Sequence, residues 1–284
     1  MPRHGVMQSK AAQFFSTLET YTFPNIGGHR VPDITTADVL AVLQPIWLEK
    51  PETARRVRQR IGTAMKRAVA QGWRQDNPAE SISSALPRQS HAQRYRRVMP
   101  YGEVADCLKA VRASKANPFT KLAFELLVLT ACRSGEVRMA DWSEMDLNRA
   151  IWTIPGERMK AGREHRVPLS AQAVAVLRQA QALGTGSGLV FPGAKAGRPL
   201  SDMTLAKLVK ELGFDVDVHG FRTSFKTWAQ EQTNAPREVS EAALAHVIRD
   251  KAEAAYARSD LFEKRRELME TWATWLAASF SSSR

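Results

Sequence analysis

The spacing of apolar residues predicts helices along most of the chain. Residues 119–131 are apolar nearly all round, which indicates a central buried helix. The pattern changes after Trp142, where residues 151–154 and 165–169 have the composition of two short strands in a small antiparallel sheet. Further helices are predicted over residues 10–20, 36–48, 52–73, 101–113, 170–182, 201–212, 220–232, 238–246, 251–258 and 261–279. The expected fold class is mainly α with a small antiparallel β-sheet.

The helix predicted over residues 52–73 has two opposite faces. Its apolar face consists of Val57, Ile61, Ala64, Met65 and Ala68. Its basic face consists of Arg55, Arg56, Arg60, Lys66 and Arg67, with no acidic residue among them. A helix packed on a core and lying against DNA phosphates would have these two faces. The alternative is an ordinary solvated face, and the run of five cations favours DNA.

Charge narrows the class of partner. The 284 residues include 41 Lys and Arg against 29 Asp and Glu, a net charge of +12. Such a surplus indicates nucleic acid or an anionic membrane surface. The longest apolar stretch, residues 122–131, contains Glu125 and is far shorter than the roughly 18 residues of a spanning helix. We therefore expect a nucleic-acid partner, no membrane and, since no secretion signal opens the chain, a cytoplasmic location.

Composition also divides the chain. Residues 1–97 carry 15 Lys and Arg against 7 Asp and Glu, so they are the more basic part. Prolines at 78 and 87 and the basic run that ends at Arg97 indicate a boundary. We predict a helical domain over residues 1–86, a linker over 87–97 and an α+β domain over 98–284.

Common catalytic motifs are missing from the sequence. There is no HExxH, no Gly-x-Ser-x-Gly, no Cys/His cluster and no Asp-rich metal loop. The two cysteines, Cys107 and Cys132, have neither disulfide nor metal spacing and are expected to be reduced thiols. Any chemistry is therefore expected to use neither metal nor cofactor.

Five segments of the second domain carry a family resemblance. They are LTACRSGEVRMADW (129–142), RMKAGREHRVPLS (158–170), HGFR (219–222), LAH (244–246) and AAYARSD (254–260). Their order and spacing resemble the motifs of the tyrosine recombinases, or phage integrases, and are most similar to integrases of prophages and genomic islands. The resemblance implies a tyrosine recombinase catalytic domain over residues 98–284, preceded by a helical core-type DNA-binding domain.

The resemblance also implies a set of catalytic residues. They are Arg133, Lys160, His219, Arg222, His246 and Tyr256. Arg133, supported by Glu136, and Arg222 would grip the non-bridging phosphate oxygens and stabilise the transition state. Singly, a tyrosine or histidine here would be read as an ordinary packing residue. It is the ordered set that indicates catalysis.

The remaining roles follow from the same resemblance. Tyr256 would be the nucleophile that forms a 3′-phosphotyrosine, and His219 would take and return its proton. His246 would donate a hydrogen bond to the phosphate, and Lys160 would protonate the departing 5′ oxygen. Aromatic residues beside Arg222, namely Phe221, Phe225 and Trp228, recur at helical spacing and are expected in the core.

The implied function is site-specific integration or excision of a mobile element. The partners are double-stranded DNA at an attachment-site core and further copies of the chain in a homotetramer, and accessory DNA-bending proteins would fit such an assembly. Two alternatives stay open: type IB topoisomerase-like relaxation, and a catalytically incompetent DNA-binding remnant.

Two features depart from the family pattern, and the packing partner of the C-terminal helix stays open. From the resemblance, we expect the residues given to lack the additional N-terminal domain that such integrases use for arm-type sites. Ala131 stands where many relatives have glycine. The C-terminal helix could pack on its own domain or on a neighbouring protomer through Leu268, Trp272, Trp275 and Leu276.

Overall fold

The computed structural model describes residues 4–82, 85–89, 97–184, 188–195, 197–246 and 259–281. Within these ranges the chain is mainly helical with one three-stranded antiparallel sheet, which confirms the predicted fold class. Most of the predicted linker over 87–97, the predicted helix over 251–258 and Tyr256 lie outside the described residues.

The chain divides into two compact units, Met1–Arg94 and Tyr95–Arg284. Each unit has its own apolar core. The first unit contains α1 His4–Tyr21, α2 Phe23–Ile26, α3 Thr36–Trp47, α4 Pro51–Ala70 and α5 Pro78–Ser81. Helix α3 begins at a capping box, in which the Thr35 and Asp38 side chains each accept from the other's backbone N–H.

Helix α4 confirms the amphipathic pattern read from the sequence. The buried residues on its core face are Ala54, Val57, Ile61, Met65 and Ala68. Ala64, which was expected on this face, is exposed.

The second unit holds the sheet and the remaining helices. Helices precede the sheet at α6 Val104–Ala113, α7 Pro118–Thr130 and α8 Ser134–Arg138. The strands are β1 Met145–Asp146, β2 Ile151–Ile154 and β3 His165–Pro168, in the order β1-β2-β3. Helices then follow at α9 Ala171–Ala182, α10 Thr204–Glu211, α11 Gly220–Gln232, α12 Arg237–Ala243 and α13 Phe262–Ser281.

Helix α7 is the centre of the second unit, since every residue from 122 to 130 is buried. Helix α13 packs against it, and Trp272 Nε1 donates to the Val128 carbonyl at 2.9 Å. The Trp272 ring lies 4.8 Å from that of Trp228. The C-terminal helix therefore packs on its own domain, and the Phe221, Phe225 and Trp228 side chains are in the core as predicted.

Candidate active site

Arg222 is held inside the second unit by backbone carbonyls. The neighbouring Phe221 and Phe225 side chains of α11 anchor the helix in the core. Arg222 itself is buried, and its Nη1 and Nη2 donate to the carbonyls of Ala131 at 2.5 Å and Leu244 at 2.6 Å. Carbonyl acceptors fix the plane of the guanidinium without cancelling its charge, so the group can bind an anion.

Arg133 lies where α7 ends and α8 begins. The Glu136 carboxylate accepts from the Arg133 backbone N–H at 2.7 Å and from Nη1 at 2.6 Å. Glu136 is buried, whereas the Arg133 side chain keeps a quarter of its surface exposed. The other terminal nitrogen, Nη2, faces the Ala245 carbonyl at 3.5 Å. Glu136 thus binds both the backbone and the side chain of Arg133, and its supporting role in catalysis stays a prediction.

The chain turns sharply before Arg133. Ala131 ends α7 in the left-handed conformation at φ 50°. Glycine adopts this conformation without steric cost, whereas alanine does so at a cost of about 1 kcal/mol. This explains in physical terms why glycine would suit the position. The turn also aims the Ala131 carbonyl at Arg222.

The C-terminal end of α12 gathers three of the site's side chains. Its last carbonyls have no partner within the helix and need donors from elsewhere. The carbonyls of Ala243, Leu244 and Ala245 accept from His165, Arg222 and Arg133 respectively. One helix end therefore sets the relative positions of a strand residue and both predicted catalytic arginines.

His246 follows directly and completes the cluster. Its Nδ1 lies 2.5 Å from the Glu241 carboxylate, and its Nε2 lies 3.4 Å from Arg222 Nη2. The imidazole is 41% exposed, so one edge remains open to a ligand. Arg133, Glu136, Arg222 and His246 thus lie together, in agreement with the order of motifs.

Two predicted catalytic residues, Lys160 and His219, are exposed. Lys160 is in the β2–β3 connection and makes no hydrogen bond or ion pair with another described residue. His219 is the N-terminal cap residue of α11, three positions before Arg222. Tyr256 lies outside the described residues, so its role stays a prediction.

Two residues of the site were missed by the sequence analysis. His165 had been assigned only to a strand, and Glu241 only to a helix. Burial, with a smaller effect from Arg265, lowers the pKa of His165 to about 4. His165 lies within the 158–170 segment but was given no role there, and Glu241 lies outside all five segments. Both contact the site at the C-terminal end of α12.

Four of the five predicted DNA-binding cations of α4 have partners within the first unit. Glu52 pairs with Arg55 at 2.9 Å and with Arg56 at 3.1 Å, and Glu80 pairs with Lys66 at 2.9 Å. The acidic partners of this basic face are Glu52 in the first turn of α4 and Glu80 in α5. Arg60 donates to the Gln13 carbonyl at 2.7 Å. Arg67 is exposed and has no side-chain hydrogen bond or ion pair with another described residue.

The described residues contain neither a candidate metal site nor a candidate membrane-spanning helix. No group of three His, Cys, Asp or Glu side chains in these ranges could hold a metal ion. No helix among them is long and apolar enough to cross a membrane.

Comparisons with known proteins match both units. Residues 1–85 match the phage integrase central domain, and residues 97–261 match the phage integrase family. Prophage integrase IntZ of Escherichia coli (strain K12) is 35% identical over 272 residues, which are 95% of this chain and 66% of IntZ. The chain thus spans about two thirds of this relative's length.

Solved structures share the fold. A lambda integrase(75-356) dimer bound to a COC′ core site has a TM-score of 0.66 at 20% identity, with 90% of each chain covered. A lambda integrase tetramer bound to a Holliday junction has a TM-score of 0.65 at 20% identity, with 86% of this chain and 73% of that chain covered. The family match over most of the second unit, together with this shared fold, shows that the chain belongs to the phage integrase family of tyrosine recombinases.

Proposed function

We propose that this chain is a site-specific recombinase that cuts and rejoins double-stranded DNA and so integrates or excises a mobile element. The observation that carries the proposal is the contact of Arg222 with His246, and of Arg222 and Arg133 with successive carbonyls, at the end of α12. Two guanidinium groups and an imidazole in one cluster form a site for a phosphodiester and its transition state.

The cleavage step is a transesterification. Tyr256 Oη attacks the scissile phosphorus, and the P–O5′ bond breaks as the P–O bond to tyrosine forms. His219 takes the phenolic proton, because a phenol with an ordinary pKa near 10 is a poor nucleophile at neutral pH. Lys160 gives a proton to the departing 5′ oxygen. Rejoining reverses these transfers, and a new 5′-hydroxyl attacks the 3′-phosphotyrosine. Because the phosphate stays esterified throughout, no ATP is needed.

The partner is DNA, and the recombining unit is a homotetramer on two duplexes. Support comes from the similar lambda integrase structures, one a dimer bound to a core site and one a tetramer bound to a Holliday junction. In this proposal residues 1–86 are the core-type DNA-binding domain, 87–97 the linker and 98–284 the catalytic domain. Phosphates then lie against the basic face of α4, and accessory DNA-bending proteins assist assembly.

A trapping experiment tests the chemistry. A nicked duplex that carries candidate attachment sites from the neighbouring genome should accumulate a covalent adduct, because the nick releases the 5′-hydroxyl strand and blocks resealing. Tyr256→Phe should abolish the adduct and leave DNA binding nearly unchanged. The matched control is Tyr101→Phe, a change at a tyrosine outside the predicted set.

The outcome separates the alternatives. Adduct that survives Tyr256→Phe, or peptide mapping that finds the DNA on another residue, would overturn the assignment. Relaxation of supercoiled plasmid without recombinant products would favour a type IB topoisomerase-like activity. DNA binding by the wild-type chain without any adduct would indicate a DNA-binding remnant.

A further inference from the structure

We propose that Glu241 is a positioning residue that acts through His246, holding its Nδ1–H so that Nε2 carries the proton donated to the scissile phosphate. The inference rests on the proposed function and assigns a role to a carboxylate outside the predicted motifs. Its contacts with His246 and with two cations of α11 and α12 are the basis.

The turn that ends α12 brings Glu241 and His246 together. The His246 backbone N–H donates to the Glu241 carbonyl at 3.0 Å, and the Ala245 N–H donates to the Ala242 carbonyl at 3.0 Å. Ala245 has φ 47°. These are the bonds of a Schellman motif, which returns the residue two positions past the cap over the last turn of the helix. Two apolar side chains commonly meet there, and here an imidazole meets a carboxylate.

Glu241 is built to remain an anion. Burial alone would raise its pKa, but hydrogen bonds from Lys226 and His246 and their charges together bring the pKa below its ordinary value. Lys226 Nζ lies 2.6 Å from Oε1, and Arg237 Nε lies 3.6 Å from the same oxygen. The other oxygen, Oε2, is left for His246.

An ionised carboxylate can only accept, so His246 Nδ1 must carry a proton. In the DNA-free structure Nε2 faces Arg222 Nη2 at 3.4 Å, where a neutral ring accepts. In the proposed complex a phosphate oxygen replaces this contact and accepts two hydrogen bonds, one from Arg222 Nη2 and one from His246 Nε2. Since Nδ1–H stays on Glu241, a ring that also donates from Nε2 carries a positive charge, and the adjacent Glu241 carboxylate stabilises that charge.

Other charged groups face this pair from the surrounding elements. They are Lys226 and Arg222 of α11, Arg237 of α12, Arg133 and Glu136 beside α8, and His165 of β3. Three of the four cations among them already donate to Glu241 or to backbone carbonyls of the α12 end, and Glu136 binds Arg133. Among the described residues, Glu241 is thus the one whose carboxylate contacts the His246 ring.

The test is the pH dependence of single-turnover cleavage on the nicked duplex. Glu241→Gln keeps an oxygen acceptor for Nδ1–H but removes the negative charge beside the donating ring, so the cleavage rate should become more sensitive to alkaline pH. We expect cleavage close to wild type at about pH 6 and reduced about tenfold at about pH 8, a shift of the alkaline limb by about one pH unit. DNA binding should not change. Glu238→Gln, an exposed glutamate of the same helix, is the matched control and should follow the wild-type profile.

A double-mutant cycle provides the second readout. In a His246→Gln background, Glu241→Gln should cost nothing further, because its effect passes through the imidazole. An independent loss of similar size in that background would overturn the proposal. So would a wild-type pH profile in Glu241→Gln, or a loss equal at every pH, which marks a purely structural role.

Folding and the proposed function are checked separately. If Glu241→Gln lowers the melting temperature, Glu241→Asp retains the charge and should keep the wild-type alkaline limb even at a lower rate. A Glu241→Asp limb that shifts like that of Glu241→Gln would contradict the role of charge. Failure of the proposed function would instead appear as no adduct with the wild-type chain.

Discussion

At the scale of the residue, His165 is a histidine whose protonation is altered by its surroundings. His165 is the first residue of β3 and donates to the Ala243 carbonyl at the end of α12, and burial, followed by the positive charge of Arg265, lowers its pKa to about 4. The ordinary histidine pKa is 6.5. The ring is therefore neutral in the folded protein at neutral pH, which leaves the site's positive charge on the arginines.

This environment makes a prediction for stability. Between about pH 4 and 6.5 the unfolded chain binds a proton at this residue that the folded chain does not. The contribution of the neutral His165 ring to the free energy of unfolding is thus fully present above pH 6.5. Up to about 3 kcal/mol of it is lost as the pH falls from 6.5 to about 4. Urea unfolding across this range should show a steeper loss of unfolding free energy for wild type than for His165→Gln.

The comparison needs a surface histidine as control. His29 is exposed in the first unit, and His29→Gln should retain the wild-type pH dependence. Parallel curves for wild type and His165→Gln would show that His165 is not held neutral by the fold.

The identity of most site residues could be predicted from sequence, but their contacts could not. Arg133, Arg222 and His246 each belong to a motif, and the structure brings them together. Glu241 has no such signal, because its contact with His246 depends on the turn at the end of α12. The usual sign of that turn is a glycine, and here Ala245 takes the left-handed conformation instead.

At the scale of the element, period and length decided what the sequence could predict. Long periodic helices such as α4, α7 and α11 were found within a few residues of their ends. Helix α8 has five residues and β1 has two, too few to establish a period, and neither was predicted. The apolar stripe of α13 is consistent with two partners on sequence alone, and only the burial of Trp272 against α7 decides between them.

Helix α13 is fixed to the sheet by a buried arginine. Arg265 has 1% of its side chain exposed and donates to the carbonyls of Asp260 and Arg166 at 2.7 and 2.6 Å. Its Nη2 also binds the Asp260 carboxylate at 2.9 Å. Burial lowers the pKa of Arg265, and the charge of Asp260 opposes that shift.

Removal of Arg265 should therefore destabilise the second unit. Arg265→Met keeps much of the side-chain volume but leaves the Asp260 and Arg166 carbonyls without this donor and the Asp260 carboxylate with Arg166 as its remaining arginine partner. We expect a loss of about 3 kcal/mol in the free energy of unfolding. Arg266→Met is the control, because Arg266 also lies over the Phe262 ring but pairs with an exposed glutamate, Glu263. It should cost less than about 1 kcal/mol, and equal losses in the two variants would contradict the anchoring role.

At the scale of the whole molecule, the net charge of +12 bears on DNA binding. Several cations of α4 are paired with glutamates, which lowers the local surplus in the free protein. Exposed ion pairs of this kind are worth about 1 kcal/mol or less. Phosphates can therefore replace the glutamates at little cost, and each cation that contacts a phosphate releases counterions from the DNA.

Arg67 gives the sharpest test of this proposed contact surface, because it has no partner among the described residues to exchange. We expect Arg67→Gln to weaken binding to duplex DNA regardless of sequence. The slope of log affinity against log salt should fall in magnitude by about 0.9, the value for one lost phosphate contact. Lys207→Gln is the control, since Lys207 is exposed on α10, pairs with Glu211 and lies outside the predicted contact set. Fluorescence anisotropy over a salt series measures both slopes, and an unchanged slope for Arg67→Gln would remove α4 from the DNA-binding surface at that position.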